Sequence, residues 1–244
     1  MEKTAIVTGA SYGLGEEMSR QLVKMGYKVY GASRSKPKFS DKNFIWIQAD
    51  LTRDDNINKI PSHVSEDTID VLINNAGTDF PQKALEYTDA DFERMFILNF
   101  KVYAKLTKLL FSKLSGGLLL NISSLSDRYP DQEFGLYCAS KAAVNIFFES
   151  MAAEEPSVKI INILPSYVDT PLQHVLREGR DFDWNWCMKA SDVADCIKQV
   201  IEARDQIETG TRVIIEKNEN ENAPYNPEKL WVYAAQTKKM CKVR

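Results

Sequence analysis

Tyr137 and Lys141 lie four positions apart in Tyr137-Cys138-Ala139-Ser140-Lys141, and Ser124 precedes the tyrosine by thirteen residues. On a helix, positions four apart share one face, so the phenol and the ammonium would project together. A free phenol titrates near pH ~10 and is a poor acid or base at neutral pH. A neighbouring ammonium favours the phenolate and lowers that value. Bringing the phenol to neutrality takes about 4 kcal/mol of differential stabilisation, within reach of one close cation plus a cationic cofactor ring. A serine hydroxyl nearby would hold a carbonyl oxygen beside the phenol. Together these groups suit hydride transfer to a ketone. A Tyr-x3-Lys pair by itself equally fits a solvated surface pair, so its meaning depends on the elements around it.

Those elements are bounded first by bulk composition. The 244 residues are 44% hydrophobic and 27% charged, enough for one large α/β domain with a full core and short for two. A net charge of −3 provides no field toward nucleic acid or an anionic membrane. No apolar run approaches the ~20 residues needed to cross a bilayer. The start, Met1-Glu2-Lys3-Thr4, runs straight into a strand-like segment without a signal-peptide layout. Cys138, Cys187, Cys196 and Cys241 show no paired spacing, and His63 and His174 are the sole histidines, which disfavours a zinc site. A reduced, cytoplasmic setting is expected.

Short β-branched runs alternate with longer amphipathic ones. Strands are expected over residues 4–7, 28–33, 44–48, 71–74, 118–122, 158–164 and 211–215. Helices are expected over 13–25, 89–114, 135–155 and 190–203, with Gly26 stopping the first and Thr88 starting the second. The run Leu118–Ile122 is continuously apolar, as a strand buried on both faces should be. This alternation predicts a Rossmann-type, doubly wound parallel sheet in a single domain, with residues 1–215 as its body and 216–244 as an extension of it. The basic end of that extension, Lys238 to Arg244, reads as a solvated, frayed terminus.

The first strand runs into Thr8-Gly9-Ala10-Ser11-Tyr12-Gly13-Leu14-Gly15. Glycines at a strand-to-helix turn let the backbone approach a pyrophosphate, and the helix N-terminus favours its charge. The spacing differs from the best-known dinucleotide turn, and an ordinary tight turn is the plainer alternative. Its position at the first junction of an alternating chain favours the nucleotide. Further along come Asn74-Asn75-Ala76-Gly77, Asn99, Ser124, Tyr137-x3-Lys141 and Pro165-x4-Thr170. In this order and spacing, the chain resembles the short-chain dehydrogenase/reductase family in its single-domain branch, over roughly residues 3–215.

The resemblance implies roles residue by residue. Tyr137 would be the acid/base, and Lys141 would lower its pKa and bind the nicotinamide ribose. Ser124 would hold the substrate carbonyl, with Ser123 and Ser126 as nearby competitors. Asn99 would interrupt its helix and hold a water in a proton relay to Lys141. Gly9, Ser11, Tyr12, Gly13, Leu14 and Gly15 would cradle the cofactor. Asp50 and Leu51 would contact adenine, with a helix N-cap as the alternative for Asp50. Asn75, Ala76 and Gly77 would border the cofactor. Pro165, Val168 and Thr170 would meet its nicotinamide end, although Ser166 stands where relatives usually have glycine.

At the end of the second strand, Ser33 replaces the acid that NAD-binding relatives carry, and Arg34 and Lys36 add charge suited to a 2′-phosphate. NADP(H) is therefore expected over NAD(H). Tyr12 counts slightly against this, because many NADP-preferring relatives carry arginine there. Residues 171–189 occupy the position of the family's substrate lid, where Leu172, His174, Phe182, Trp184 and Trp186 would line a pocket or form a packed cluster. Asp127, Arg128, Tyr129, Asp131, Gln132 and Phe134 would border the substrate, and their polarity leans toward an oxygen-rich carbonyl compound.

The expected activity is an NADP-dependent carbonyl reductase or alcohol dehydrogenase acting on a small molecule. A 3-oxoacyl-thioester reductase is the alternative within the class, and a non-catalytic NADP-binding regulator the alternative outside it. A homodimer or homotetramer is expected through helices 89–114 and 135–155. Phe96, Tyr103, Leu106, Leu110, Phe147, Phe148 and Met151 are apolar enough for that interface or for the core.

Overall fold

The computed structural model describes residues 2–217, 230–235 and 238–242. Each expected strand is present: β1 (Lys3–Thr8), β2 (Tyr27–Ser33), β3 (Phe44–Gln48), β4 (Val71–Asn74), β5 (Leu118–Ile122), β6 (Lys159–Pro165) and β9 (Thr211–Glu216). Two short strands, β7 (Val168–Asp169) and β8 (Met188–Lys189), pair with each other apart from the main sheet. The tail supplies β10 (Leu230–Ala234) and β11 (Lys239–Lys242). The main sheet runs β11-β10-β9-β6-β5-β4-β1-β2-β3 and is parallel except for β11 against β10. The chain therefore winds outward from β1 in one direction and from β4 in the other. A crevice opens where the order reverses, at the C-terminal ends of β1 and β4.

Alternation along the central strands buries both faces. Val7, Ile73, Leu120 and Ile163 meet Met18 and Leu22 of α1 (Gly13–Lys24) and Val193 and Ile197 of α7 (Ala190–Glu202). Ile6, Leu72, Leu119 and Ile160 meet Ile57 and Ile60 of α2 (Asp54–His63), Tyr103 and Leu106 of α4 (Val102–Leu110), and Val144 and Phe148 of α5 (Gly135–Glu154). Each such side chain contributes roughly 1.5–3 kcal/mol by leaving water.

A polar line crosses this core at one register. Asn74 donates to Asn121 (2.9 Å) and to Thr107 of α4 (3.1 Å), Asn121 donates to Asn162 (3.0 Å), and Asn162 reaches the Asn145 carbonyl of α5 (3.3 Å). Buried amides are costly to leave unpaired, so this row fixes how α4 and α5 dock on the sheet.

Several expectations change. The helix expected over 89–114 is interrupted: α3 (Asp89–Phe96) passes through a π-turn at Ile97–Lys101 into α4 and ends in a short 3-10 turn. Thr88 and Asp91 cap its start reciprocally. The helix α2 had no counterpart in the sequence reading. Asp50 does not cap it: Arg53 holds that position, and Asp50 instead accepts from the Thr52 N–H (3.0 Å) and hydroxyl (2.7 Å).

The basic end is not frayed over 239–242, which form β11. Tyr233 is fully buried, and Lys238 pairs with Asp195 of α7 at 2.6 Å. The polar cluster 218–222 and residues 243–244 lie outside the described residues. Tyr103, Leu106, Leu110 and Phe148 are core residues and have no surface to offer a partner subunit, whereas Phe147 is exposed.

Candidate active site

The glycine turn is held by its neighbours across the crevice. Thr8 Oγ1 accepts from the backbone N–H groups of Asn75 (2.9 Å) and Ala76 (3.0 Å), and Asn75 Nδ2 donates back to the Thr8 carbonyl (2.8 Å). Gly9 (φ 70°) and Gly13 (φ 62°) are left-handed. A Cβ on Gly15 would lie 2.1 Å from the Gly9 carbonyl oxygen, so only glycine fits. Tyr12 at the N-cap of α1 makes no side-chain cap, leaving the first-turn N–H groups for an anion. Thr170, beside Gly13, caps α6 (Pro171–Arg177) by accepting from the Gln173 N–H (3.3 Å). A left-handed turn, an uncapped helix start and a side-chain-free approach together fit the diphosphate of a dinucleotide.

The adenosine end is less open than expected at one point. Ser33 is buried, donates to the Ser35 carbonyl (2.9 Å) and accepts from Trp46 Nε1 (3.1 Å), so its hydroxyl is already engaged. Arg34 and Lys36 are exposed beside it, while Leu51 is buried. Hydrogen bonds from Thr52, with help from Arg34, hold the Asp50 carboxyl below the usual range.

At the substrate end, the helical spacing brings Tyr137 and Lys141 together as expected. Lys141 is buried, donates to the Ile122 carbonyl (2.8 Å) and lies 5.7 Å from the Tyr137 ring centre. Ser124 leaves the end of β5, its hydroxyl shares a hydrogen bond with Ser126 Oγ (3.1 Å), and it lies near enough to the Tyr137 phenol to act on it. Ser124 also accepts from the Ser126 N–H at 3.1 Å. Ser123 is turned away and donates to the Lys141 carbonyl (3.2 Å). Asn99 sits in the π-turn, buried, accepting from the Thr78 N–H (2.8 Å) and donating to the Thr78 carbonyl (2.9 Å) and to Ser140 (3.0 Å). Gly77 lies against both Asn99 and Lys141, with a hypothetical Cβ 3.2 Å from Asn99 Oδ1 and 3.8 Å from Lys141 Nζ.

Electrostatically, the protein alone acts against the expected depression of the tyrosine. Burial pushes the Tyr137 phenol up and Asp79 adds to it, while the Ser124 hydrogen bond pulls it down less strongly. Burial also lowers Lys141 to about 8, opposed by Asp79. Asp79 itself is pushed up to about 7 by burial, against the Phe80 N–H and the Lys141 and Arg177 charges.

Asp79 is the site residue that the motif reading missed. Its signal was an acid two positions after Gly77, on the loop that leaves the Asn74-Asn75-Ala76-Gly77 run. Leu176 was missed as well: on the inner face of α6 it packs with Phe134 and Cys138, against Tyr137.

Asp127 does not border the substrate. It points inward to Arg212 (2.8 Å) and Asn145 (2.8 Å), and Arg212 is also paired with Glu149 of α5. The aromatic side chains of 171–189 pack largely on one another and on Tyr167: His174 stacks on Trp184 at 4.2 Å and Phe182 meets Tyr167 at 5.3 Å. Asp131 is occupied by the Tyr167 hydroxyl (3.0 Å). Among the described residues no cluster of three His, Cys, Asp or Glu side chains could hold a metal, and no helix is long and apolar enough to cross a membrane.

Comparison with known proteins agrees with this geometry. Residues 3–181 match the short chain dehydrogenase family. An uncharacterized oxidoreductase of Staphylococcus epidermidis is 30% identical over 211 residues, 80% of this chain and 89% of its own. The benzil reductase ((S)-benzoin forming) of Bacillus cereus is 33% identical over 204 residues, 73% of this chain and 81% of its own. Ligand-free aldohexose dehydrogenase from Thermoplasma acidophilum superposes with a TM-score of 0.82 at 24% identity, covering 92% and 96% of the two chains. With the glycine turn, the Ser124–Tyr137–Lys141 cluster and the sheet order already in place, these matches establish that the chain belongs to the short-chain dehydrogenase/reductase family of oxidoreductases.

Proposed function

We propose that this protein reduces the carbonyl group of a small molecule with NADP(H), using Tyr137 as the proton donor. The observation that carries the reading is the convergence of Ser124, Tyr137 and Lys141 beside a glycine turn shaped for a dinucleotide. The bound cofactor supplies the hydride. Ser124 holds the carbonyl oxygen, and its hydrogen bond strengthens as charge develops there. Tyr137 then gives its proton to that oxygen. A phenol raised by burial is protonated at neutral pH and still more acidic than an alcohol, so it can give its proton to the alkoxide that hydride addition forms.

Lys141, with its ammonium anchored on the Ile122 carbonyl, would hold the ribose and favour the phenolate left when Tyr137 gives up its proton. Asn99 steadies the loop at Thr78 and Ser140 of α5, and its place in the π-turn keeps it beside Lys141 for proton exchange. Exposed Arg34 and Lys36, with no acid beside them on β2, favour a 2′-phosphate through charge-assisted hydrogen bonds. A subunit contact through the exposed side of α3 and α5, around Phe92, Ile146 and Phe147, fits their apolar exposure.

The test is oxidation of NADPH and of NADH by the purified protein over a panel of diketones, hydroxy ketones and 3-oxoacyl thioesters. Turnover with NADPH at about tenfold or greater kcat/KM over NADH is expected, the size of one charged hydrogen bond. Turnover of thioesters alone would move the substrate class. A cofactor-binding protein with no turnover of any carbonyl would make it a binding module instead.

A further inference from the structure

Three buried polar atoms, on the loop after β4 and on α6, find no hydrogen-bond partner among the described residues: Asp79 Oδ1, Gln173 Nε2 and Arg177 Nε. Asp79 lies on the loop after β4, near enough to Tyr137, Lys141 and Arg177 for its charge to act on all three. Gln173 and Arg177 are four apart on one side of α6, and Leu176, a turn from Gln173, packs in the cluster of Tyr137. One wall of the site therefore holds an unanswered acceptor and the other holds unanswered donors. A buried donor or acceptor without a partner is costly, and a bound molecule that pairs with these atoms would remove that cost.

We propose that Asp79 is a substrate-binding residue that accepts a hydrogen bond from a hydroxyl group next to the reacting carbonyl, making the substrate class hydroxy ketones and their diols. The assignment rests on the reductase reading above. Lys141 and Arg177 already balance Asp79 and Asp131 near the site, so a neutral hydroxyl fits there where an added ammonium would unbalance the charge. A hydroxyl is neutral, donates to the carboxylate, and has lone pairs left for an N–H from α6. A site built around a hydroxyl penalises the analogue lacking it, since its own polar groups are then left bare.

The experiment compares wild type and Asp79→Asn on matched probes. Turnover is measured with 2-hydroxyacetophenone and acetophenone, using NADPH. Binding of 1-phenyl-1,2-ethanediol and 1-phenylethanol to the NADP+-loaded protein is measured by calorimetry. Wild type is expected to prefer the hydroxylated member by about tenfold or more in kcat/KM and in affinity, and the variant to bring that ratio toward one. The same ratio in both proteins, or no preference in wild type, overturns the assignment while reduction itself stands. Diol discrimination that depends on Asp79 without turnover of either ketone overturns the reductase reading and upholds the binding site. Asp79→Ser repeats the comparison with a shorter polar side chain, and an unchanged far-ultraviolet circular dichroism spectrum shows that the fold is intact.

Discussion

The turn at Gly9–Gly15 and the loop carrying Asp79 both leave the C-terminal end of a central strand, β1 and β4, yet they are built in different ways. Around Gly9 the protein answers its own polar groups: Thr8, Asn75 and Ala76 exchange hydrogen bonds across the crevice, and backbone packs on backbone with no room for a Cβ. Around Asp79 it does not, and a buried carboxylate oxygen is left without a partner near Tyr137 and Lys141. The first region is completed by the chain and accepts a ligand through its N–H groups and its shape. The second is completed only by what it binds. A shape that recognises one kind of diphosphate serves many enzymes, whereas unanswered side-chain atoms select among substrates.

This contrast can be broken from either side. The largest effect is expected from Tyr137→Phe, which removes the proton donor and leaves both walls in place. Turnover should fall by roughly 10²–10⁴-fold while cofactor affinity, measured by fluorescence titration, stays within a few-fold. Retained turnover would return the protein to a binding role.

Gly15→Ala attacks the self-completed side. Its new Cβ meets the Gly9 carbonyl oxygen, and overpacking of this kind costs about 1–3 kcal/mol. The thermal midpoint and the cofactor affinity should drop together. Gly13→Ala, whose Cβ has room at 3.6 Å from Thr170, should show only the left-handed strain of roughly 1–2 kcal/mol. Equal losses in the two variants would mean that the turn is less rigid than its packing implies.

Arg34→Ala sharpens the nucleotide side further. NADPH kcat/KM should fall by about tenfold or more with little change for NADH, as one charge-assisted contact predicts. A parallel loss for both cofactors would remove Arg34 from the 2′-phosphate.

A further effect concerns pH. The Asp79 charge raises both Tyr137 and Lys141, so Asp79→Asn should move the acid limb of alcohol oxidation, where the phenolate forms, to lower pH. Because burial raises Asp79 from 3.8 to about 7, the native state holds its proton longer than the unfolded chain does. That contribution to stability is present below pH 3.8 and is lost as pH rises to about 7. Thermal midpoints of wild type and Asp79→Asn should therefore diverge over that range, with the variant gaining toward neutrality. Curves that stay parallel would place Asp79 in water rather than in the site.

Much of the scaffold was legible because it follows local rules. Thr88 and Asp91 announced a helix start and made a reciprocal cap. The Leu118–Ile122 run announced a strand covered on both faces and is fully buried. Local rules were silent elsewhere. The tail looked polar and basic, but Tyr233 finds a buried place against the body of the sheet, and a nonlocal strand pairing outweighs a weak local signal. Asp127 looked like pocket lining until Arg212, far away in the chain, drew it inward. Tyr137 was expected to be lowered by Lys141 together with a cationic cofactor ring; burial in the protein alone acts in the opposite direction.

By itself the sequence determined the alternating α/β frame, the glycine turn, and a tyrosine and lysine one helical turn apart. Each of these depends on residue type and spacing over a few positions. Only the tertiary structure decided that Ser124 rather than Ser123 faces the phenol, that Asp79 and the inner face of α6 close over the site, and that two tail strands extend the sheet. Those outcomes depend on desolvation and on side chains from distant segments meeting, and neither is encoded within a single stretch of chain.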